Sequence, residues 1–255
     1  MATRLTGVVI RASDVKSLSE FWTEVLGADV VGGANGLTLR FVGADGRKTV
    51  KNRVHLDLKG GPEQLDRLLE LGAVRTDIGQ GEVPWEVLAD PEGNEFCLHP
   101  PTKPVEEYEG SLNGASHGAL NGSSVNGSLN GHHLNGAGDA GRGSGIGVRW
   151  SAVCQDAADP QAQSKFWTAA LGFGWQVTAE GDWGLALRRA DDARYPTLVM
   201  GPPVAEKDGP SRVYLRVTPN PGSHVVVETS RLVVEGAKRQ GELLIDPEGN
   251  EFHID

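Results

Sequence analysis

The chain has 255 residues, a net charge of −10, 35 glycines and two cysteines, which predicts one or two domains and excludes a disulfide framework. No apolar run is long enough for a membrane span, the N-terminus has no signal-peptide core, and no basic patch indicates nucleic-acid binding, so we expect a cytoplasmic protein. An acidic surface would attract a cationic ligand, although it does not specify one.

The first forty residues predict a strand–helix–strand unit. Residues 7–11 form a short apolar run that is typical of a strand, and Ser13 or Asp14 can cap the helix that follows. Apolar side chains recur along this helix at helical spacing, so one face is expected to be buried. Gly27 is a natural terminator, and residues 37–42 predict the next strand.

A second unit begins with residues 53–58, which alternate between apolar and polar side chains. This alternation predicts a strand with Arg53, His55 and Asp57 on one polar face. A leucine-rich amphipathic helix follows over residues 65–71. The remaining predicted elements are strands at 85–88 and 96–99, joined by a turn that Asp90 and Gly93 favour.

Residues 102–147 are predicted to be a flexible linker. Glycine, serine and asparagine are frequent there, and the unit Leu-Asn-Gly recurs, as at 112–114 and 134–136. Such a segment cannot bury enough apolar area to offset the entropy of ordering it. The linker therefore separates two domains, 1–101 and 148–255, and its histidines at 117, 132 and 133 could bind metal only weakly.

The two domains repeat each other in sequence, which is the strongest organisational signal in the chain. Ser19-Glu-Phe-Trp-Thr-Glu-Val-Leu-Gly matches Ser164-Lys-Phe-Trp-Thr-Ala-Ala-Leu-Gly, and Arg53-Val-His-Leu-Asp-Leu matches Arg212-Val-Tyr-Leu-Arg-Val. Asp90-Pro-Glu-Gly-Asn-Glu-Phe recurs unchanged from Asp246. The second repeat is longer than the first by 14 residues between the first and second of these motifs.

Together these motifs resemble the vicinal oxygen chelate superfamily, specifically its glyoxalase-like, bleomycin resistance and dioxygenase branch. The resemblance covers both repeats and excludes the linker. It implies an α+β fold of two tandem domains, each built from two βαβββ modules that form a curved mixed sheet around a cavity. Because this superfamily includes lyases, dioxygenases and non-catalytic drug-binding proteins, the fold alone does not assign a function.

The resemblance also places the metal-ligand positions of the superfamily on named residues. In the first repeat they fall on Gly7, His55 and Cys97, with no acidic residue beside Leu39 for the remaining position. The corresponding residues of the second repeat are Ala152, Tyr214 and His253. Since most of these side chains are poor ligands, we expect no cofactor, with His55, Cys97 and His99 as weak candidates for a divalent metal such as zinc.

Two sets of site residues follow from the strand faces and from the resemblance. The candidates for acid–base catalysis are His55, Tyr214 and His253. The candidates for ligand contact are polar, cysteine and tryptophan side chains expected to face the cavities: Arg53, His55, Asp57, Trp85, Cys97, Trp150, Cys154, Arg212, Tyr214 and His253.

The function that this pattern favours is the binding of a small organic molecule, such as an antibiotic or another natural product, without the usual metal. An enzyme of the same superfamily, acting on a small oxygenated metabolite, is the alternative, and a protein-interaction module is a third. The two domains could pair as a pseudo-dimer within one chain or form a homodimer, because the linker is long enough for either.

Overall fold

The computed structural model describes residues 2–31, 37–46, 48–101, 145–172, 174–181, 183–190, 195–202 and 204–255. The predicted linker lies outside the described residues except at its last three positions. None of the described helices combines the length and apolar character that crossing a membrane requires.

The first repeat contains six strands and two helices among its described residues. They are β1 (Thr3–Ala12), α1 (Val15–Leu26), β2 (Thr38–Gly43), β3 (Val54–Lys59), α2 (Pro62–Glu70), β4 (Val74–Arg75), β5 (Glu86–Ala89) and β6 (Glu95–His99). Every strand and helix that the sequence predicted in this repeat is present, and β4 is an addition.

The second repeat follows the same plan with more strands. They are β7 (Arg149–Asp156), α3 (Pro160–Leu171), β8 (Trp175–Gly181), β9 (Gly184–Arg189), β10 (Thr197–Gly201), β11 (Val213–Pro219), α4 (Val225–Val234), β12 (Lys238–Gln240), β13 (Leu243–Ile245) and β14 (Glu251–Ile254). The hairpin β8–β9 accounts for the greater length of this repeat. In the first repeat the described residues between α1 and β2 make only an isolated bridge from Val31 to Leu39.

The first helix of each repeat has matching caps. The Asp14 carboxylate accepts a hydrogen bond from the Ser17 amide at 3.0 Å, and the Asp159 carboxylate accepts one from the Ala162 amide at 2.9 Å. Each helix then ends at a glycine with a positive φ, 90° at Gly27 in the first repeat and 83° at its counterpart in the second. Local sequence therefore determines both boundaries of these helices.

Two mixed sheets combine strands from both repeats, which confirms the α+β class. The six-stranded sheet has the order β12-β13-β14-β11-β1-β2, and the eight-stranded sheet has the order β4-β5-β6-β3-β7-β10-β9-β8. Antiparallel pairing of β1 with β11 joins the repeats in one sheet, and pairing of β3 with β7 joins them in the other. The modules therefore pair within one chain, and neither repeat forms a sheet of its own.

Within each repeat, a hydrogen bond joins the first helix to the turn of the Asp-Pro-Glu-Gly-Asn-Glu-Phe motif that the two repeats share. Trp22 and Trp167 are fully buried, and their indole Nε1 groups donate to Asp90 at 3.1 Å and to Asp246 at 3.4 Å. Asp90 Oδ1 also accepts from the amides of Glu92 and Asn94, as expected for a turn-forming aspartate. A hydrogen bond from the first helix to the turn thus stabilises each repeat, while strand pairing and the hydrogen bond from Thr3 to the Ala170 carbonyl of α3 join the two repeats.

Candidate functional site

A cleft of about 1060 Å³ lies on the six-stranded sheet and includes residues from both repeats. The strand register places Arg40, Val9 and Tyr214 in one row across its floor. The next row contains Arg216 beside His253. Cationic and hydrogen-bonding side chains therefore share this floor with apolar ones.

The charge balance of the cleft is opposite to that of the whole chain. The described residues that line it include eight lysines and arginines against six acidic residues. Arg216 Nε donates to Asp255 at 2.9 Å, and Arg11 lies 3.6 Å from Glu251. Arg40 is exposed, and no hydrogen bond or ion pair with another described residue engages its guanidinium. One cation on the floor therefore remains available for a ligand.

Tyr214 lies on the floor of the cleft beside Arg11. The guanidinium of Arg11 stacks 5.1 Å from the centre of its ring. Burial raises the pKa of the Tyr214 hydroxyl, although the neighbouring Arg11 charge opposes the shift. The phenol therefore keeps its proton at neutral pH and can donate to an anion.

Arg53 and Arg212 line the cleft, and each also contacts the repeat to which it does not belong. Arg53 Nη2 donates to the Glu248 carbonyl at 2.8 Å, and Arg212 Nη1 lies 3.5 Å from Glu92. Strand β3 begins at Val54, one residue after Arg53, and Arg53 lines the cleft. Its contact with Glu248 gives it a role in joining the repeats.

A different cluster occupies the eight-stranded sheet, with Asp57 at its centre. His99 Nε2 lies 3.1 Å from Asp57 Oδ2, and Cys154 Sγ donates to the same oxygen at 3.2 Å. His55 Nε2 lies 3.5 Å from the other carboxylate oxygen, Oδ1. Cys97 lies opposite Asp57 on β6, so five side chains with metal-ligating atoms converge here.

Burial determines the protonation of this cluster. It lowers the pKa of His55 and raises the pKa of both thiols, which the Asp57 charge raises further. Burial would also raise the pKa of Asp57, but the His99 hydrogen bond and the nearby imidazole charges outweigh it and lower that pKa. At neutral pH the cluster is therefore a carboxylate among neutral thiols and a neutral His55.

The two tryptophans predicted to contact ligand lie beside this cluster. The Trp85 ring packs against the His99 ring with 4.8 Å between their centres. Trp150 Nε1 donates to the carbonyl of Ala152 at 2.9 Å. Trp85 therefore helps to fix the orientation of His99.

The sheet pairing regroups the metal-ligand positions that the resemblance implied. Gly7 lies opposite Arg216, in the sheet that holds Tyr214 and His253, whereas Ala152 lies opposite Asp57, in the sheet that holds His55 and Cys97. Grouping these positions by repeat was therefore wrong. For the same reason Cys154 faces Asp57 of the first repeat and not a cavity made by the second repeat alone.

The cleft does not fit a divalent metal. A Cβ atom at Gly7 would lie 2.6 Å from the Thr38 carbonyl oxygen, so this strand position cannot carry a ligand without displacing the backbone. The neutral phenol of Tyr214 is also a poor ligand. On the eight-stranded sheet the fit is better, because donor atoms of His55, Asp57 and Cys97 lie within 4.8 Å of one another.

Sequence reasoning missed the arginines on the floor of the cleft. The signal was present in the repeat alignment, since Asp57 in one motif corresponds to Arg216 in the other. Arg40 follows Leu39, where the resemblance implied a metal ligand, and was not among the predicted ligand contacts. Its exposure depends on the width of the sheet, which the local sequence does not show.

Comparisons with known proteins agree on the family. The glyoxalase-like domain family matches residues 7–99 and 152–254. Glyoxalase I from Zea mays is similar in structure, with a TM-score of 0.54 and 14% identity over 99% of this chain and 92% of that one. A putative dioxygenase from Bacillus subtilis has a TM-score of 0.57 and 12% identity, covering 99% and 85%. A search of curated proteins found no match.

The structural likenesses are at identities that show the fold alone. The family match, in contrast, covers more than half of the chain and includes the strands of both faces. The chain therefore belongs to the glyoxalase-like domain family of the vicinal oxygen chelate superfamily.

Proposed function

We propose that this protein binds a small organic anion in the cleft of the six-stranded sheet. The observation that carries the proposal is the floor of the cleft, where Arg40 on β2, and Tyr214 and Arg216 on β11, present hydrogen-bond donors on the two strands that flank β1. A carboxylate accepts hydrogen bonds in the planar geometry that a guanidinium offers. The acidic surface alone favoured a cation, and the local balance of charge in the cleft now favours the opposite.

The rest of the cleft suits the apolar part of such a ligand. Val9, Val42 and Leu243 line it beside the arginines. A volume of about 1060 Å³ is at the upper limit of sites that hold drug-sized molecules, which are about 300–1,000 Å³, so the cleft has room for such a ligand. A natural product, including an antibiotic, that carries a carboxylate or another anionic oxygen matches these features.

Catalysis in this cleft is the alternative, and it would involve Tyr214 and His253. Both side chains line the cleft, whereas His55 lies on the other sheet. Because Tyr214 retains its proton, it would serve as a hydrogen-bond donor or general acid, leaving His253 as the candidate base. Binding without turnover does not require one side chain to act as an acid and another as a base, and it is the function that we propose first.

The test compares three probes of nearly equal size: benzoate, benzyl alcohol and benzylamine. Calorimetry or ligand-observed NMR on the full chain should show benzoate binding at least about tenfold more tightly than benzyl alcohol, since a charge-assisted hydrogen bond contributes about 1.5–3 kcal/mol. Arg40→Gln should remove most of this preference. Arg75→Gln is the matched control, because Arg75 pairs with Glu86 on the surface of the other sheet.

A preference for benzylamine, or equal binding of the three probes, would contradict the proposal. So would a benzoate affinity that Arg40→Gln and Arg75→Gln change equally. Turnover of an oxygenated metabolite that disappears in His253→Gln would favour the enzymatic alternative.

A further inference from the structure

The Asp57 cluster contains polar atoms that burial has left without partners. Asp57 Oδ1 and His55 Nδ1 are inaccessible to solvent and have no hydrogen bond with another described residue. A buried acceptor without a donor destabilises the fold, and more so when it is charged. Such an arrangement is expected where an absent partner normally completes the site.

We propose that this cluster binds one thiolate-preferring divalent ion, Zn²⁺, through His55, Asp57 and Cys97. Imidazole, carboxylate and thiolate are the three donor types that zinc takes in proteins. Zinc bonds of about 2.0–2.3 Å place neighbouring tetrahedral donors about 3.3–3.8 Å apart. The present separations, up to 4.8 Å, need only small side-chain rotations to reach this range.

The remaining contacts hold the carboxylate in position for this role. Asp57 Oδ2 is already occupied by His99 and Cys154, so Oδ1 is the oxygen left for the metal. Hydrogen bonds of this kind orient ligating carboxylates in metal sites generally. Cys154 therefore acts through Asp57 as a positioning residue, whereas Cys97 provides the sulfur ligand.

His55 and Cys97 lie at positions that the family resemblance implied, but the source of the carboxylate differs. Ala152 occupies the first-strand position and has no ligating atom, and the carboxylate comes instead from Asp57, two residues beyond His55 on β3. One sulfur in three protein ligands favours zinc over magnesium or manganese, which prefer oxygen donors. The site is independent of the proposed anion cleft, since it lies on the other sheet.

The two cysteines provide a matched pair for the test. Apo protein titrated with one equivalent of Co²⁺ should develop the sulfur-to-cobalt charge-transfer band in the near ultraviolet. Cys97→Ser should abolish this band. Cys154→Ser should retain it, because a serine hydroxyl can still donate to Asp57.

A measurement on the unaltered chain removes any dependence on the folding of the variants. X-ray absorption of the complex with one equivalent of Zn²⁺ should show one sulfur and otherwise nitrogen and oxygen neighbours. Two sulfurs, or none, would overturn the assignment. So would a cobalt band that disappears in Cys154→Ser and persists in Cys97→Ser, or the absence of stoichiometric binding after dialysis.

Discussion

The two sheets contain equivalent strands of the two repeats, but the side chains at equivalent positions of these strands have opposite chemistry. At equivalent positions of the repeat, Asp57 on the eight-stranded sheet corresponds to Arg216 on the six-stranded one, and His55 corresponds to Tyr214. One face gathers a carboxylate, imidazoles and thiols, while the other gathers guanidinium groups and a phenol. One framework has therefore produced a face suited to a cation and a face suited to an anion.

The two sheets also differ in width, which affects access to the cleft on the six-stranded sheet. The hairpin β8–β9 extends the eight-stranded sheet beyond β10. Among the described residues, the first repeat has no counterpart, so β2 is the edge of the six-stranded sheet and leaves Arg40 and Val42 exposed. A difference of 14 residues in one module thus changes access to the floor as well as the length of the chain.

The largest expected effect tests whether the cores of the two repeats are equivalent. Trp22→Ala and Trp167→Ala should each lower the free energy of unfolding by about 3–5 kcal/mol, because both side chains are fully buried against matching phenylalanines, Phe96 and Phe252. Chemical denaturation measures both losses. A loss in one variant of less than about half that in the other would show that the halves are not equivalent.

The second effect concerns pH and the two matching turns. Burial, which outweighs the hydrogen bonds from Asn250 and Gln163, raises the pKa of Asp246 from 3.8 to about 6. A raised folded-state pKa stabilises the protein below the unfolded value and loses that contribution as pH rises, here between about 4 and 6. Two units correspond to about 3 kcal/mol at most.

Asp246→Asn should remove this pH-dependent loss, so the slope of unfolding free energy against pH between 4 and 6 should become more positive than in the wild type. The slope is informative even if the variant is less stable overall. Asp90→Asn should change the slope in the same direction, since burial also raises the pKa of Asp90. Unchanged slopes in both variants would contradict this account of the turns.

The third effect separates the two faces by ligand binding. Tyr214→Phe should weaken benzoate binding by about tenfold, because it deletes one hydrogen bond to a charged ligand on the floor of the cleft. His55→Gln, at the equivalent position of the other sheet, should leave benzoate affinity unchanged. Equal losses in the two variants would indicate a single shared site.

The smallest effect concerns the matching helix caps. Asp14→Ala and Asp159→Ala should each cost about 1 kcal/mol of unfolding free energy, because each removes an acceptor for an amide in the first turn. Thermal or chemical denaturation resolves a change of this size. Asp29→Ala, at an exposed carboxylate outside the helices, is a suitable control and should have a smaller effect.

Local signals in the sequence were sufficient for most elements of the first repeat, although not for β4. The caps at Asp14 and Gly27, the alternation through His55 and Asp57, and the turn at Asp90 all have physical causes within a few residues. The pairing of β1 with β11 does not, because it depends on contacts between residues some two hundred positions apart. Periodicity within a segment contains no information about such a partner.

The candidate sites could also be predicted only in part, because their residues are local features but their grouping depends on strand pairing. The residues of the Asp57 cluster were all singled out, from strand alternation or from the family resemblance, but their grouping required the pairing of β3 with β7, which brings Cys154 to Asp57. Arg40 and Arg216 were not predicted as ligand contacts, because the resemblance implies metal ligands on those strands and an arginine is not a metal ligand. The opposite charges at equivalent positions of the two repeats can be interpreted only when the pairing of the strands is known.

The most direct test of the two-face account is a single crystallographic experiment with two anomalous scatterers. Crystals grown with one equivalent of Zn²⁺ and with 4-bromobenzoate should show bromine in the cleft near Arg40 and Tyr214. The zinc peak should lie among His55, Asp57 and Cys97. Bromine on the eight-stranded sheet, or zinc beside Tyr214 and His253, would contradict the claim that the two faces have diverged to bind opposite charges.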